Sequence, residues 1–371
     1  MTFDAIIVGA RVAGAATALL LARQGLRVLL LERSAIGSDT LSSHQLQPPG
    51  AAILERWGLL GELVAAGTPA TTRLRLHHGR HVVDVRPPGP MFSPRRTLLD
   101  AMLVRAAAAA GAEVREHVTV DEVLWSDDRV RGVAGRARRG GAFEERAPMV
   151  IGADGKNSFV ARAVRAGVYR ERPARAFAAY TYLDGMPVEA GEMHQRAGAA
   201  AAVFPTDEGL TMVYVSAPLD GFAAYRSDPE GVFLGLLDGF GDLGERVRSG
   251  RRAERLRATS DQPNRFRVPY GPGWALAGDA GVVMDSITAQ GMTNALRDAE
   301  LLSRAVAGGD FATYHSERDR GLSRMYDLTL HLARHRPGAA ERLLFPLLAR
   351  RFWGSDRRVG GRRGHRGALA A

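Results

Sequence analysis

Residues 3–33, FDAIIVGARVAGAATALLLARQGLRVLLLER, constrain the fold more tightly than any other stretch. Ala5–Val8 is a short, unbroken apolar run with β-branched residues, the pattern of a strand buried on both faces. A glycine turn follows it. Val12–Arg23 is rich in alanine and leucine and reads as helix, and Arg27–Leu31 is a second buried strand closed by Glu32. This strand–turn–helix–strand unit is of the dinucleotide-binding kind. Gly9 permits the tight turn, and Gly14 lets helix and strand pack closely. The amides of Val12 and Ala13, at the helix N-terminus, then face a pyrophosphate. Glu32, with Arg33 after it, is placed to accept both hydroxyls of an adenosine ribose. Arg11 stands where the fingerprint G-x-G-x-x-G has its middle glycine. Its side chain either crowds the phosphate or turns outward and assists it.

At 371 residues the chain holds one large or two medium domains with ample core. It has no cysteine, which excludes disulfides, iron–sulfur clusters, thiolate zinc sites and cysteine nucleophiles. The first strand begins almost at Met1, leaving no room for a signal peptide. No apolar run reaches the ~18 residues of a membrane span, so a cytoplasmic protein without a transmembrane segment is expected. The formal net charge is +10. Much of it falls in the last third, at Arg350, Arg351, Arg357, Arg358, Arg362, Arg363 and Arg366. No nucleic-acid-binding motif or aromatic stacking pattern accompanies these arginines, which read as a solvated tail and not as a contact for RNA or DNA.

Along the chain, helices are expected at Gly50–Trp57 and Leu59–Ala66, and a hairpin at Arg73–Val85 around His78-Gly79-Arg80. His77, His78 and His81 are close in sequence there. Neighbouring strand residues face opposite sides, and no carboxylate stands at ligand spacing, so no metal site is expected. Arg95-Arg96-Thr97-Leu98-Leu99-Asp100 opens a helix to Ala110, and strands follow at Ala112–Arg115 and Val118–Leu124. Arg129–Val133 and Phe143–Ala147 form a polar hairpin. Met149–Gly152 is an apolar strand running into Ala153-Asp154-Gly155, with a helix at Ser158–Arg165. Alternating segments Ala178–Leu183, Glu192–Arg196, Ala200–Phe204 and Thr211–Ser216 predict an inserted antiparallel sheet, with a helical part from Val232 to Arg248. Trp274–Ala277, the turn Gly278-Asp279-Ala280 and a helix from Gly291 to Ala307 return to the first pattern. Terminal helices at 311–353 include an apolar cluster around Pro346, from Leu343 to Trp353, that suits core packing or self-association.

Three glycine–acid corners thus each follow a buried strand: Gly9 to Gly14 with Glu32, Asp154-Gly155, and Gly278-Asp279. In their order and separation the chain resembles the class A flavoprotein monooxygenases, the para-hydroxybenzoate hydroxylase-like superfamily that also contains geranylgeranyl reductase-type enzymes. Ser38-Asp39-Thr40-Leu41-Ser42, Pro94-Arg95-Arg96-Thr97 and Ile287-Thr288-Ala289-Gln290-Gly291 carry the likeness further, and it covers about residues 3–320. The implied fold is α/β. A Rossmann-like FAD-binding domain, glutathione reductase-like, takes residues 1–72, 92–168 and 269–320. An inserted antiparallel-sheet substrate domain takes 73–91 and 169–268, followed by C-terminal helices at 321–353 and a basic disordered tail at 354–371.

The resemblance also implies roles. Glu32 holds the adenosine ribose, Arg96 contacts the FAD linkage, and Asp154-Gly155 sits near the pyrophosphate. Asp279 bonds the ribityl chain, and Ala289, Gly291 and Met292 present a helix N-terminus to the pyrimidine edge of the flavin. No second nucleotide fold is visible, so NADH or NADPH would visit transiently. Hydroxylases of this family read Gly-Asp-Ala-x-His with a proline near the flavin; this chain has Val282 and Ser286 instead. No acid–base residue stands out. His44, in the loop that faces the flavin, and Tyr180, Tyr182, Gln195 and Tyr214, on strands roofing the pocket, are the candidates. The run Ala199–Ala202 suggests a wall of small side chains with room for a bulky substrate. The expected activity is NAD(P)H-dependent monooxygenation of a bulky apolar or aromatic small molecule by a monomer or homodimer, in secondary metabolism. Its rivals are a flavin-dependent reductase or dehydrogenase of the geranylgeranyl reductase type and a non-catalytic flavin-binding protein.

Overall fold

The computed structural model describes residues 3–336 and 338, apart from 43, 80 and 139. Its central sheet runs in the order Tyr270–Gly271, Trp274–Leu276, Met149–Gly152, Ala5–Val8, Val28–Glu32, Glu113–Glu116. All neighbouring strands are parallel except the first pair. The inner strands are buried from end to end, which is why their sequences show apolar runs and no alternation. Helices Val12–Arg23, Arg96–Ala109 and Gly291–Gly308 pack on one face. The first of these is buried on nearly every side, since the sheet and the other two helices enclose it. Its mostly small side chains, five of them alanine, suit that space.

The other face is covered by an antiparallel sheet of Val118–Ser126, Arg129–Ala137 and Gly141–Arg146. The hairpin expected at Arg129–Val133 and Phe143–Ala147 is therefore longer and has a third member. A small sheet of Val168–Arg172, Asn264–Arg267 and Val282–Val283 ties the two halves of the molecule together.

A second large sheet forms a roof. Its order is Arg251–Arg252, Ala176–Asp184, Thr211–Pro218, Ala199–Pro205, Gly191–Arg196, Leu74–His78, His81–Val85. The early hairpin thus completes a sheet built mostly from residues a hundred positions later, through one parallel pairing with Gly191–Arg196. Three short helices cover its outer face, Phe222–Ser227, Pro229–Asp238 and Leu243–Ser249. Sequence patterning merged the last two into one helical part, Val232 to Arg248, and missed the first. Pro229 separates the first two because it starts a helix and cannot continue one, and the Asp228 side chain caps the Gly231 amide.

Gly291–Gly308 ends at Gly309, in the left-handed region with φ 75°, and Phe311–Leu332 follows, capped by Asp310. The apolar cluster Leu343–Trp353 and the basic tail at 354–371 lie outside the described residues. Among the described residues, no helix is long and apolar enough to cross a membrane.

Candidate functional site

Adjacent parallel strands bring their C-terminal turns together, and the three glycine–acid corners follow three neighbouring strands. Gly9 has φ 101°, and a Cβ there would lie 2.5 Å from the Ala153 carbonyl oxygen, beside Asp154. A Cβ on Gly14 would lie 1.7 Å from the Gly9 carbonyl oxygen. Gly278, with φ 59°, meets Ala13, so its Cβ would sit 2.7 Å from that of the alanine. All three corners meet at one end of the sheet, where open α/β sheets bind ligands.

Glu32 is buried, and its carboxylate accepts hydrogen bonds from the Ala10 amide at 2.8 Å and the Ser34 amide at 2.9 Å. That locks strand to turn and leaves further lone pairs for a ribose. Arg33 beside it is exposed. Arg11 turns away from the glycine loop. Its guanidinium bonds the Ser38 hydroxyl and Asp100 Oδ2, each at 3.0 Å. Arg96 bonds both oxygens of the same buried Asp100, at 2.9 and 3.0 Å. Two cations thus share one carboxylate beside the uncapped N-terminus of Val12–Arg23, where Val12 and Ala13 are buried. Free amides and a surplus positive charge together favour an anion.

The other uncapped helix of interest begins at Gly291. No side chain caps it and no acidic residue stands in its first turn. A Cβ on Gly291 would meet nothing within 4 Å, whereas Met292 is buried beneath it. Ala289 reaches this end through a left-handed turn with φ 50°. Asp279 is open to solvent although protein crowds it closely, as expected of a group lining a deep cleft. Desolvation pushes its carboxyl up, and the charges of Arg96 and Lys156 pull it down. Gly155 stands at φ 80° with open space above it. Asp154 is already engaged, accepting from the Ser158 hydroxyl and the amides of Phe159 and Val160 at the next helix. Its acid thus shapes the corner, and the neighbouring glycine supplies the opening.

The roof meets this cleft at the loop from Ser38 to Gln47. The Ser42 amide donates to the Tyr180 hydroxyl at 3.3 Å, and the Gln47 amide donates to Thr293 Oγ1 at 3.2 Å. His44 is buried, with φ 51°, and its Nδ1 is hydrogen-bonded with the Tyr182 hydroxyl. Tyr180, Tyr182 and Tyr214 share the inner roof face with Phe204 and Met212. Tyr214 reaches Ser286 Oγ at 3.0 Å, and that hydroxyl donates to Gln262 at 2.6 Å. Alternation divides the expected alanine wall: Ala199 and Ala201 pack among the outer helices, while Ala202 stands with the tyrosines. Half the run can line a pocket. Gln195, directly across from Ala200, belongs to the same inner side.

Burial, with the charges of Arg96, Arg95 and Arg257, pushes the His44 imidazole down to about 3. It is neutral at ordinary pH. The Arg95 guanidinium lies 5.2 Å from the centroid of the Tyr182 ring. Burial pushes the Tyr180 hydroxyl up to about 12 and raises Tyr182 and Tyr214 as well. His44 and the three tyrosines are therefore neutral hydrogen-bonding groups, and the arginines beside them are paired, Arg95 with Glu254, Arg96 with Asp100 and Arg257 with Asp39. Asp100, Asp285 and Asp298 were missed by sequence reasoning. Asp298 accepts from the Gly278 amide at 3.0 Å, and burial pushes its carboxyl up to about 6. The spacing Arg96-x-x-x-Asp100 was the one signal available for any of them.

A family model of the FAD-binding domain matches residues 2–234, and the chain belongs to that family. It is thus a flavoprotein of the FAD-binding kind. The probable electron transfer flavoprotein-quinone oxidoreductase YdiS of Escherichia coli (strain K12) is 28% identical over 261 residues. That match takes in 67% of this chain and 57% of the relative, so the chain spans little more than half its length. Digeranylgeranylglycerophospholipid reductase 2 of Methanopyrus kandleri is 33% identical over 168 residues, 44% of this chain and 40% of that protein. Among solved structures, the flavin-dependent brominase Bmp2 superposes with a TM-score of 0.81 at 21% identity, covering 89% of this chain and 87% of the brominase. PqsL of Pseudomonas aeruginosa, a probable FAD-dependent monooxygenase, gives 0.73 at 21% identity, covering 95% and 98%. At such identities these two likenesses speak for the fold alone.

Proposed function

We propose that this flavoenzyme is an NAD(P)H-dependent monooxygenase acting on a bulky apolar or aromatic substrate. The supporting observation is the meeting of Tyr180 and Tyr182 with the Ser42–His44 segment, and of Tyr214 with Ser286. In this reading the substrate is held between the roof and the end of the helix Gly291–Gly308. Bound FAD supplies electron transfer and, once reduced, a reaction partner for dioxygen.

The chain's own residues prepare for that chemistry. With FAD bound, Glu32 would hold the ribose, and the amides of Val12–Arg23, with Arg11 and Arg96 nearby, would neutralise the pyrophosphate. Gly155 would give the cofactor clearance, and Asp279 would hold the ribityl chain. The amides at Gly291 and Met292 would stabilise negative charge on the flavin. Residues 73–91 and 169–268 form the substrate-holding part. His44 stays neutral and fixes the Tyr182 hydroxyl, while the roof keeps water from the chamber. NADH or NADPH would supply the reducing equivalents. A cytoplasmic role in secondary metabolism fits this chemistry.

The test is turnover with NADH or NADPH, polycyclic candidates and isotopically labelled dioxygen. One labelled oxygen atom in the product is expected. A second reading, a reductase, is favoured by the tie of Ser286 to Tyr214 and Gln262 where hydroxylases are expected to carry a proline. Reduction of an olefinic substrate without dioxygen uptake would replace the first reading with this one.

A further inference from the structure

On the outer face of the roof, parallel pairing assembles a cluster that no sequence spacing announces. His194 stands directly across from His77, and Glu192, two residues earlier, shares that face. The two imidazoles stack with centroids 4.1 Å apart and planes inclined by 13°. His194 Nε2 lies 3.0 Å from Glu192 Oε2. His77 Nε2 is buried and has no hydrogen-bond partner among the described residues. One ligand atom from each of the three residues lies within 4.8 Å of the others. Sequence-local histidines gave no reason to expect a metal; the fold exchanges His78 and His81 for partners on another strand.

We propose that His77, Glu192 and His194 bind a divalent transition metal, with Zn²⁺ the best match. Two imidazole nitrogens and one carboxylate oxygen are a donor set that zinc takes tetrahedrally with a fourth position left for water. Zinc–ligand bonds near 2.1 Å at a tetrahedral angle set ligand atoms about 3.4 Å apart. The His194–Glu192 contact is already close to that, so a proton now bridges the two atoms that the metal would bridge. Rotation of the His77 ring brings in the third donor, whose lone pair nothing else claims.

Arg246 forks onto Glu192, with Nη2 2.7 Å from Oε1 and Nη1 3.0 Å from Oε2. It orients the carboxylate as outer partners of metal ligands do, while its charge moderates affinity for a cation. Asp242, 4.0 Å from the same guanidinium, offsets part of that charge. The metal would staple the early hairpin to a strand from the middle of the chain. Leu74 and Leu76, on the opposite face of that hairpin, belong to the apolar cluster that includes Tyr180 and Tyr182, so the staple would stiffen the chamber from behind.

The experiment is calorimetric titration of the metal-stripped full chain with Zn²⁺ alone, with Co²⁺ as a spectroscopic substitute. One equivalent should bind, Tm should rise, and Co²⁺ should give the intense visible bands of a four-coordinate site. His77→Gln and His194→Gln should each weaken binding at least about a hundredfold, since even outer partners are worth roughly 10–100-fold. His81→Gln, on the same hairpin, should bind as the parent does. Circular dichroism and retained FAD would certify the variants as folded. Equal affinity in His77→Gln and His81→Gln overturns the proposal. If the histidine variants do not fold, the parent's Co²⁺ spectrum decides: weak octahedral bands, or no bound equivalent, overturn it.

Discussion

Gly278 approaches Ala13 so closely that a Cβ on the glycine would sit 2.7 Å from the alanine methyl, and its φ of 59° is left-handed. Two corners of the proposed cofactor cleft, more than 260 residues apart in sequence, are joined at that contact. Gly278→Ala would incur about 1–2 kcal/mol for the left-handed backbone and about 1–3 kcal/mol for overpacking. A loss of roughly 2–5 kcal/mol in denaturant unfolding is expected. Weaker FAD binding should accompany it, read by fluorescence of the released flavin. An unchanged affinity would mean that the corner does not hold the cofactor.

Arg11 gives a prediction that runs against the fingerprint. Arg11→Gly restores the middle glycine of G-x-G-x-x-G, yet it removes the bonds to Ser38 and Asp100. Asp100 is 2% exposed in its side chain and would keep only Arg96. Thinning a buried ionic cluster costs more than the glycine gains. FAD affinity should fall about tenfold, or about 1.4 kcal/mol, and not rise. Removing the shared carboxylate with Asp100→Asn should destabilise the fold by about 2–4 kcal/mol, because two partly buried guanidinium groups lose their partner. Urea melts of the apoprotein would measure it.

His44 titrates at about 3 in the fold, against 6.5 for the free side chain. Between those values the unfolded chain binds more protons at this position than the folded one, so stability is lost as pH falls through the window. Asp285 and Asp298, pushed up by burial to about 6, act in the opposite direction over part of it. Comparison with His44→Gln cancels them. The stability of the parent relative to His44→Gln should drop by about 1.4 kcal/mol per pH unit below about pH 6.5. A flat difference would show that His44 is protonated in the fold, or is not buried.

Much of the nucleotide-binding half was legible because its signals are local. Apolar runs, glycines and the position of Glu32 lie within single strand–turn units, and adjacent parallel strands do the rest. The roof was legible as alternation but not as order. Nothing local indicates that Leu74–His78 pairs with Gly191–Arg196, so the meeting of His77 with Glu192 and His194 could not be read in advance. The same holds for Asp298 beneath the Gly278 turn and for Ser38 beneath Arg11, each fixed by tertiary contact across 20 or more positions. The alanine run was read as one surface because composition carries no phase; the pleat sends Ala201 one way and Ala202 the other.

Gly291 separates cofactor binding from folding. A Cβ there meets nothing within 4 Å, and the residue opens an α-helix. Gly291→Ala should therefore leave the apoprotein as stable as before or up to about 1 kcal/mol more stable, through reduced freedom of the unfolded chain. Gly291→Leu puts a larger side chain into the same opening. If the opening is where the flavin edge rests, FAD affinity should fall in the order Gly291, Ala, Leu while the apoprotein melting temperatures stay level or rise. The leucine variant should lose at least about tenfold, equivalent to about 1.4 kcal/mol. Apoprotein melts beside FAD titrations make the comparison. Full FAD affinity in Gly291→Leu would move the flavin edge away from this helix, and with it the chamber assigned to the substrate.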